Sequence, residues 1–198
     1  DPKSRSFLTF NIKNSKLNSN YVSDLSMMDN GNLLIGISTH FITINTASFL
    51  MHTYDTEVAD GTLPNFSVNS IIKDSRDIFW MATPSGVFML SPATHQVKTM
   101  AVNGGTGCSV IEDRNHRMWL VYDHQILCVS LSKGKGDKWN LTTTAFNYLN
   151  GLQSRLFNLR SILLTRKGNI IVGGQDGINI IHPNQIPNCK CNQKTIFS

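Results

Sequence analysis

Residues 67–92 read SVNSIIKDSRDIFWMATPSGVFMLSP. Within this stretch an apolar run around Ile71 and Ile72 gives way to the polar turn Asp74-Ser75-Arg76-Asp77, and a second run centred on Trp80 follows. Thr83-Pro84-Ser85-Gly86 then separates that run from a third, Val87 to Leu90. Short runs rich in β-branched and aromatic residues, bounded by Asp, Ser and Gly, are strand signals, and none is long enough for a helix to be the better reading. Gly86 sits in the second turn, where a residue without Cβ takes up positive φ at least cost.

Three other segments align with it. They are Tyr21 to Ala47, YVSDLSMMDNGNLLIGISTHFITINTA; Gly107 to Leu131, GCSVIEDRNHRMWLVYDHQILCVSL; and Asn158 to Pro183, NLRSILLTRKGNIIVGGQDGINIIHP. The central runs are anchored on Leu34, Trp80, Trp119 and Ile171, which gives a period near 40 to 50 residues. Asn30-Gly31 is a strong hairpin signal and predicts a type I′ turn. Gly177 repeats the place of Gly86, while His40 and His124 lie in the corresponding turns of the first and third segments. A fourth strand is expected at Phe49 to Tyr54, Gln96 to Val102 and Thr143 to Tyr148. Four strands per unit at this period is the pattern of a β-propeller blade. The expected fold is therefore all-β: four four-stranded antiparallel blades, a partial propeller, with blades near 21–54, 67–102, 107–148 and 158–183.

Composition agrees. Of 198 residues, 20 are Asn, 19 Ser and 16 Thr, types that favour turns and strands over helix interiors, while only 16% are charged against roughly 25% in an average chain. The net charge of +5 permits a nucleic-acid partner, but the sequence shows no cluster of cations: its densest basic stretch, Lys133 to Lys138, is broken by two glycines and an acid. No apolar run approaches the roughly 18 residues of a membrane span, and residues 1–20 lack a signal-peptide pattern. Cys108 and Cys128 fall in apolar strands and read as buried free thiols rather than a bridge. Cys189 and Cys191 offer two of the four ligands of a structural zinc, so no metal is expected, and no cofactor motif occurs.

The pattern apolar-x-x-Ile-x-x-Asp-x-x-Gly-x-apolar-Trp-apolar-Ala/Gly-Thr-x-x-Gly resembles the two-component regulator propeller repeat. Asp74, Trp80, Ala82, Thr83, Gly86, Ser91 and Pro92 stand in register with it, and Phe146 to Leu152, Gly173 to Asn179 and His182-Pro183 resemble the last blade before the linker in Bacteroides-type hybrid sensors. The first and third segments depart, with Leu34 in place of Trp and Val121-Tyr122 in place of Ala/Gly-Thr. The resemblance implies a periplasmic sensor segment of a membrane-anchored hybrid histidine kinase, responding to oligosaccharides, with the kinase outside these residues. It also implies that residues 1–187 hold four blades preceded by the outer strand of another, Phe7 to Ile12, and that 188–198 begin a linker.

A cut arc leaves two blade faces bare, so the chain is expected to dimerise through them or to contract into a closed four-bladed ring, with Phe7 to Ile12 able to complete the last blade. Trp80 and Trp119, recurring with the period, read as core, and Glu112 and Asp113 as hairpin residues. Residues that break the repeat on the rim of interblade crossings are the better ligand-binding candidates: His40, Tyr122, His124, Arg155, Arg160 and Gln175, with Tyr122 as a stacking surface. No catalytic set is found. Leu25, Ile71, Val110 and Ile162 are read as an apolar lining of the central channel, which speaks against the runner-up, a propeller lyase or glycosidase. A scaffold for protein–protein interaction fits the same sequence, and no nucleic-acid partner is expected.

Overall fold

The computed structural model describes residues 7–28, 30–37, 40–54, 67–91, 96–100, 105–134, 139–153 and 156–186. Their strands form four antiparallel sheets in chain order. The first blade holds β1 (Val22–Met27), β2 (Leu33–Ile37), β3 (His40–Ile44) and β4 (Met51–Tyr54); the second holds β5 (Ser70–Lys73), β6 (Phe79–Thr83), β7 (Gly86–Ser91) and β8 (Gln96–Met100). The third has β9 (Gly107–Glu112), β10 (Met118–Tyr122), β11 (Ile126–Lys133) and β12 (Trp139–Phe146), and the fourth β13 (Phe157–Leu164), β14 (Ile170–Gly174) and β15 (Gly177–Ile181). Three blades match the four-stranded expectation. The fourth is three-stranded among the described residues, because β15 runs into a 3-10 turn at Pro183–Gln185 instead of a hairpin.

Alternation along each strand sends successive side chains to opposite neighbours, so the core lies between blades. Leu34, Phe41, Ile71, Phe79, Met81 and Phe88 fill the gap between the first and second; Trp80, Met89, Val110, Leu120, Tyr122 and Leu127 that between the second and third. Cys108, Trp119, Val121, Phe157 and Val172 join the third to the fourth. Ile71 and Val110 are therefore turned into interblade cores, Ile162 packs at the edge of the third, and Leu25 is 57% exposed on an uncovered face. The expected apolar channel lining is corrected on this point: a blade stands edge-on to the channel, and its innermost strand offers side chains sideways.

The first hairpin turn of every blade has one geometry. Met28, Asp74, Asp113 and Thr165 each donate their amide to the carbonyl four residues on and accept from the amide three residues on. The third loop residue is left-handed in all four: Gly31 at φ 77°, Asp77 at 65°, His116 at 58° and Gly168 at 84°. Three residues separate Met28 from Asn32, so the type I′ expectation at Asn30-Gly31 gives way to a three-residue loop closed by a left-handed residue.

Buried Asp74 and Asp113 stiffen two of these turns. In each, Oδ1 accepts the amides at i+2 and i+4, and Oδ2 accepts a guanidinium and an indole Nε1–H, from Arg76 and Trp80 or from Arg117 and Trp119. Arg117 also reaches the carbonyls of Pro183 at 2.7 Å and Ile186 at 3.2 Å, anchoring the chain beyond β15. The approach of neighbouring blades is close at Gly107, where a Cβ would stand 2.8 Å from the Gly86 carbonyl oxygen.

Residues 7–21 contain no strand, which corrects the expectation that Phe7 to Ile12 form an outer strand. The reason is local: Asn and Ser side chains take up the backbone polar groups, Asn14 Oδ1 accepting from Asn11, Asn11 Oδ1 from Lys13 and Asn20 Oδ1 from Ile12. The segment lies over the first blade instead, with Leu17 buried against Ile35, Ile37, Ile42 and Met51, and the Phe10 ring 5.7 Å from Phe49.

Elsewhere the end faces are bare: Leu25 and Met27 on β1 are 57% and 66% exposed, Leu163 on β13 is 59%, and Ile178 and Ile180 on β15 are 63% and 55%. The arc is open, which overturns the closed four-bladed ring. Residues 1–6 and 187–198, with the expected linker, lie outside the described residues.

Candidate functional site

Each β2-type strand returns the chain to the rim from which the next blade starts, so second-turn residues and interblade crossings share that rim. At the third and fourth blades they are joined by backbone. Asp123 donates its amide to the Thr106 carbonyl at 2.9 Å, Phe157 donates to the Asp123 carbonyl at 2.9 Å, and Gln175 donates to the Leu156 carbonyl at 3.1 Å. The crossing at 156–157 therefore bridges the β10–β11 and β14–β15 turns. His124 and Gln175, both exposed, stand on these two turns.

His124 Nδ1 lies 2.6 Å from Asp123 Oδ1, and its ring closes over Gly105, where a side chain would collide with it. The crossing before the fourth blade is held just as firmly. Asn147 and Asn150 form a reciprocal cap around the 3-10 turn Tyr148–Asn150, Gly151 ends it at φ 92°, and Asn179 Oδ1 accepts the Gln153 amide at 2.8 Å. Among the described residues the buried side-chain amide of Gln153 has no hydrogen-bond partner.

The other candidates fall elsewhere. Tyr122 is fully buried between the second and third blades, which removes it as a stacking surface: β10 is inserted between two blades and Tyr122 faces the earlier one. Burial pushes its phenol up to about 12, partly offset by a hydrogen bond with the Val87 backbone. Arg160 stands at φ 57° in the irregular stretch of β13, and its Nη1 donates to the Ser23 carbonyl, so a side chain of the fourth blade reaches the innermost strand of the first. His40 opens β3, but its side chain, like the whole of Arg155, lies outside the described residues. The structure thus brings His124 and Gln175 to one rim, sends Arg160 across the arc and buries Tyr122.

Beneath the rim, Cys108 Sγ lies 3.5 Å from the Phe157 carbonyl, and burial, with the Asp123 charge adding to it, pushes the thiol up to about 12. Cys108 and Cys128 are both free and buried, as expected.

Sequence reasoning missed a clasp on the opposite rim. Ser75 Oγ donates to Glu112 Oε1 at 2.6 Å and lies 2.8 Å from His116 Nδ1, while Arg76 donates to the His116 carbonyl at 2.7 Å. Ser, His and Glu meet here without forming a nucleophilic relay, because hydroxyl and carboxylate face the same imidazole nitrogen. The sequence signal was the equal offset of Asp74 and Asp113 from their tryptophans, which places the flanking residues in matching turns.

No protein-family model and no curated protein matches the chain. Solved structures do match it in fold. The extracellular domain of a hybrid two-component system from B. thetaiotaomicron superposes with a TM-score of 0.68 at 19% identity, covering 90% of this chain and 24% of that one. A second such domain from the same organism gives 0.68 at 18%, again over 90% and 24%. An inactive virginiamycin B lyase from Staphylococcus aureus gives 0.56 at 13%, over 83% of this chain and 56% of that one. The chain spans about a quarter of the length of the two-component-system domains.

Proposed function

We propose that the chain is a periplasmic, ligand-sensing propeller segment of a membrane-anchored hybrid two-component sensor histidine kinase, itself non-catalytic and responding to oligosaccharides. The observation that carries this reading is the superposition of 90% of the chain on the extracellular domains of two such systems at a TM-score of 0.68. The disposition of the acids supports a non-catalytic role: Asp74 and Asp113 are buried hairpin acceptors and Glu112 is held by Ser75. The rim of His124, Asp123 and Gln175 presents donors and acceptors suited to sugar hydroxyls. A ligand there biases a kinase only by favouring one arrangement of the sensor over another.

A second reading, a scaffold for a protein partner, is favoured by the exposed apolar group Tyr148, Leu149 and Leu156, which are 45%, 75% and 47% exposed on the same rim.

Two measurements test these readings. The reading frame beyond Ser198 is expected to encode a membrane span and kinase motifs; a stop codon shortly after it overturns the sensor assignment. Calorimetry of the whole extracytoplasmic region against neutral oligosaccharides is expected to give heat that His124→Ala with Gln175→Ala abolishes. Absence of heat from any sugar favours the scaffold.

A further inference from the structure

We propose that the hairpin rim of the third and fourth blades, opposite the crossing rim, binds a sulfate-bearing glycan chain through Arg114, Arg166 and Lys167. The three cations come from the β9–β10 and β13–β14 turns, distant in sequence and adjacent in space. Arg114 Nη2 donates to the Arg166 carbonyl, and the Arg114 Cδ lies 3.3 Å from where a Cβ of Gly168 would be. Gly168, left-handed and without a side chain, gives the Arg114 stem a surface to lie on. The guanidinium is thereby fixed above the next blade's turn, with N–H groups remaining for an anion. Arg166 and Lys167 precede Gly168 on that turn, and all three cations are exposed.

What distinguishes these cations is that no described residue neutralises them. The described carboxylates of the same rim are engaged elsewhere: Asp113 by Trp119 and Arg117, Glu112 by Ser75, Asp74 by Trp80 and Arg76, Asp77 by Lys73. Among the described residues, Arg114, Arg166 and Lys167 enter no ion pair. Further polar groups border the patch, with Asn115 Nδ2 donating to Asn184 Oδ1 at 2.9 Å and His182 Nδ1 lying 3.1 Å from Asn169 Oδ1.

The footprint selects the partner. The first-blade turn between Met28 and Asn32 carries no cation, and the second-blade cations Lys73 and Arg76 are both paired. Arg114, Arg166 and Lys167 group on two neighbouring turns, and exposed Lys133 ends β11 on the same rim. A grouping limited to the third and fourth blades fits a narrow chain of anionic groups, and the two planar guanidinium forks match sulfate oxygens. This patch and the crossing rim can fail independently, since they lie at opposite ends of the strands.

The test is fluorescence anisotropy of the 198-residue chain with labelled dextran sulfate and, in parallel, uncharged dextran. Dextran sulfate is expected to bind and dextran not, with a log–log salt slope of about −2 to −3 for about three ionic contacts. Arg166→Gln with Lys167→Gln is expected to reduce the magnitude of that slope by about 2 and to weaken binding about tenfold near 50 mM salt. Because these two side chains point to solvent, the thermal midpoint stays unchanged. Lys13→Gln with Lys16→Gln removes the same charge from the segment over the first blade and leaves binding intact. Equal binding by both double variants, no binding of dextran sulfate, or binding to phosphatidylglycerol vesicles alone overturns the proposal.

Discussion

Trp80 Nε1 donates a hydrogen bond to Asp74 Oδ2 at 2.9 Å, with both side chains buried. Trp119 and Asp113 repeat the relationship at the same offset and distance. The first and fourth blades place Met28 with Leu34 and Thr165 with Ile171 at the equivalent positions, so they lack the acid and the indole together. Coupled loss is what desolvation demands, since a buried carboxylate is tolerable only while its donors are present.

Trp80→Phe is therefore expected to destabilise the chain by about 1–3 kcal/mol, because it leaves Asp74 one donor short. Replacing both partners by the fourth-blade pair, Asp74→Thr with Trp80→Ile, is expected to cost less than the sum of the single changes. Urea unfolding of the four members of the cycle measures the coupling; strict additivity would show that the pair is coincidental.

The left-handed loop position gives a second expectation. A Cβ at Gly31 meets nothing within 4 Å, so Gly31→Ala tests backbone strain alone and is expected to cost about 1 kcal/mol. His116→Gly relieves the same strain but removes the contacts of the imidazole with Ser75 and Glu112, and a change within about 0.5 kcal/mol is expected. If His116→Gly stabilised as strongly as Gly31→Ala destabilises, the clasp would contribute nothing.

Alkaline pH should weaken the fold. The Cys108 thiol and the Tyr122 phenol are both raised to about 12, so the folded chain holds these protons more tightly than the unfolded one. Their contribution is intact below the ordinary thiol value near 9.0 and is lost as pH rises towards 12. Thermal midpoints are expected to fall across that window, less steeply in Tyr122→Phe at its upper end. Cys108 should resist alkylation near pH 8 until the chain unfolds.

The bare ends of the arc predict self-association. Leu163, Ile178 and Ile180 form an exposed apolar strip on the outer face of the fourth blade, and we expect the chain to dimerise through it. Light scattering should report a dimer that Ile178→Ser with Ile180→Ser converts to monomer. A monomeric parent chain at high concentration would sink the idea.

Much of this molecule was written in its repeats. The recurrence of an apolar run, a turn and a second run around Leu34, Trp80, Trp119 and Ile171 suffices to predict blades, because period-2 strands of that length have few other ways to bury both faces. Trp80 and Trp119 as core, Cys108 and Cys128 as free thiols, and the turns at Gly86 and Gly177 were legible for the same local reason.

The site was less so, because position on a rim does not fix which way a side chain turns. Tyr122 and His124 are two residues apart, yet the first ends a strand wedged between blades while the second stands in the open turn beyond it. Nor does the sequence show this cation cluster, since Arg114 and Arg166 are far apart along the chain and meet only when consecutive blades set their first turns side by side. Sequence periodicity determined how each blade is made. The packing of one blade against the next decided which charges stay unpaired, which aromatic is hidden and which faces remain bare, because those outcomes depend on contacts between residues that no local pattern relates.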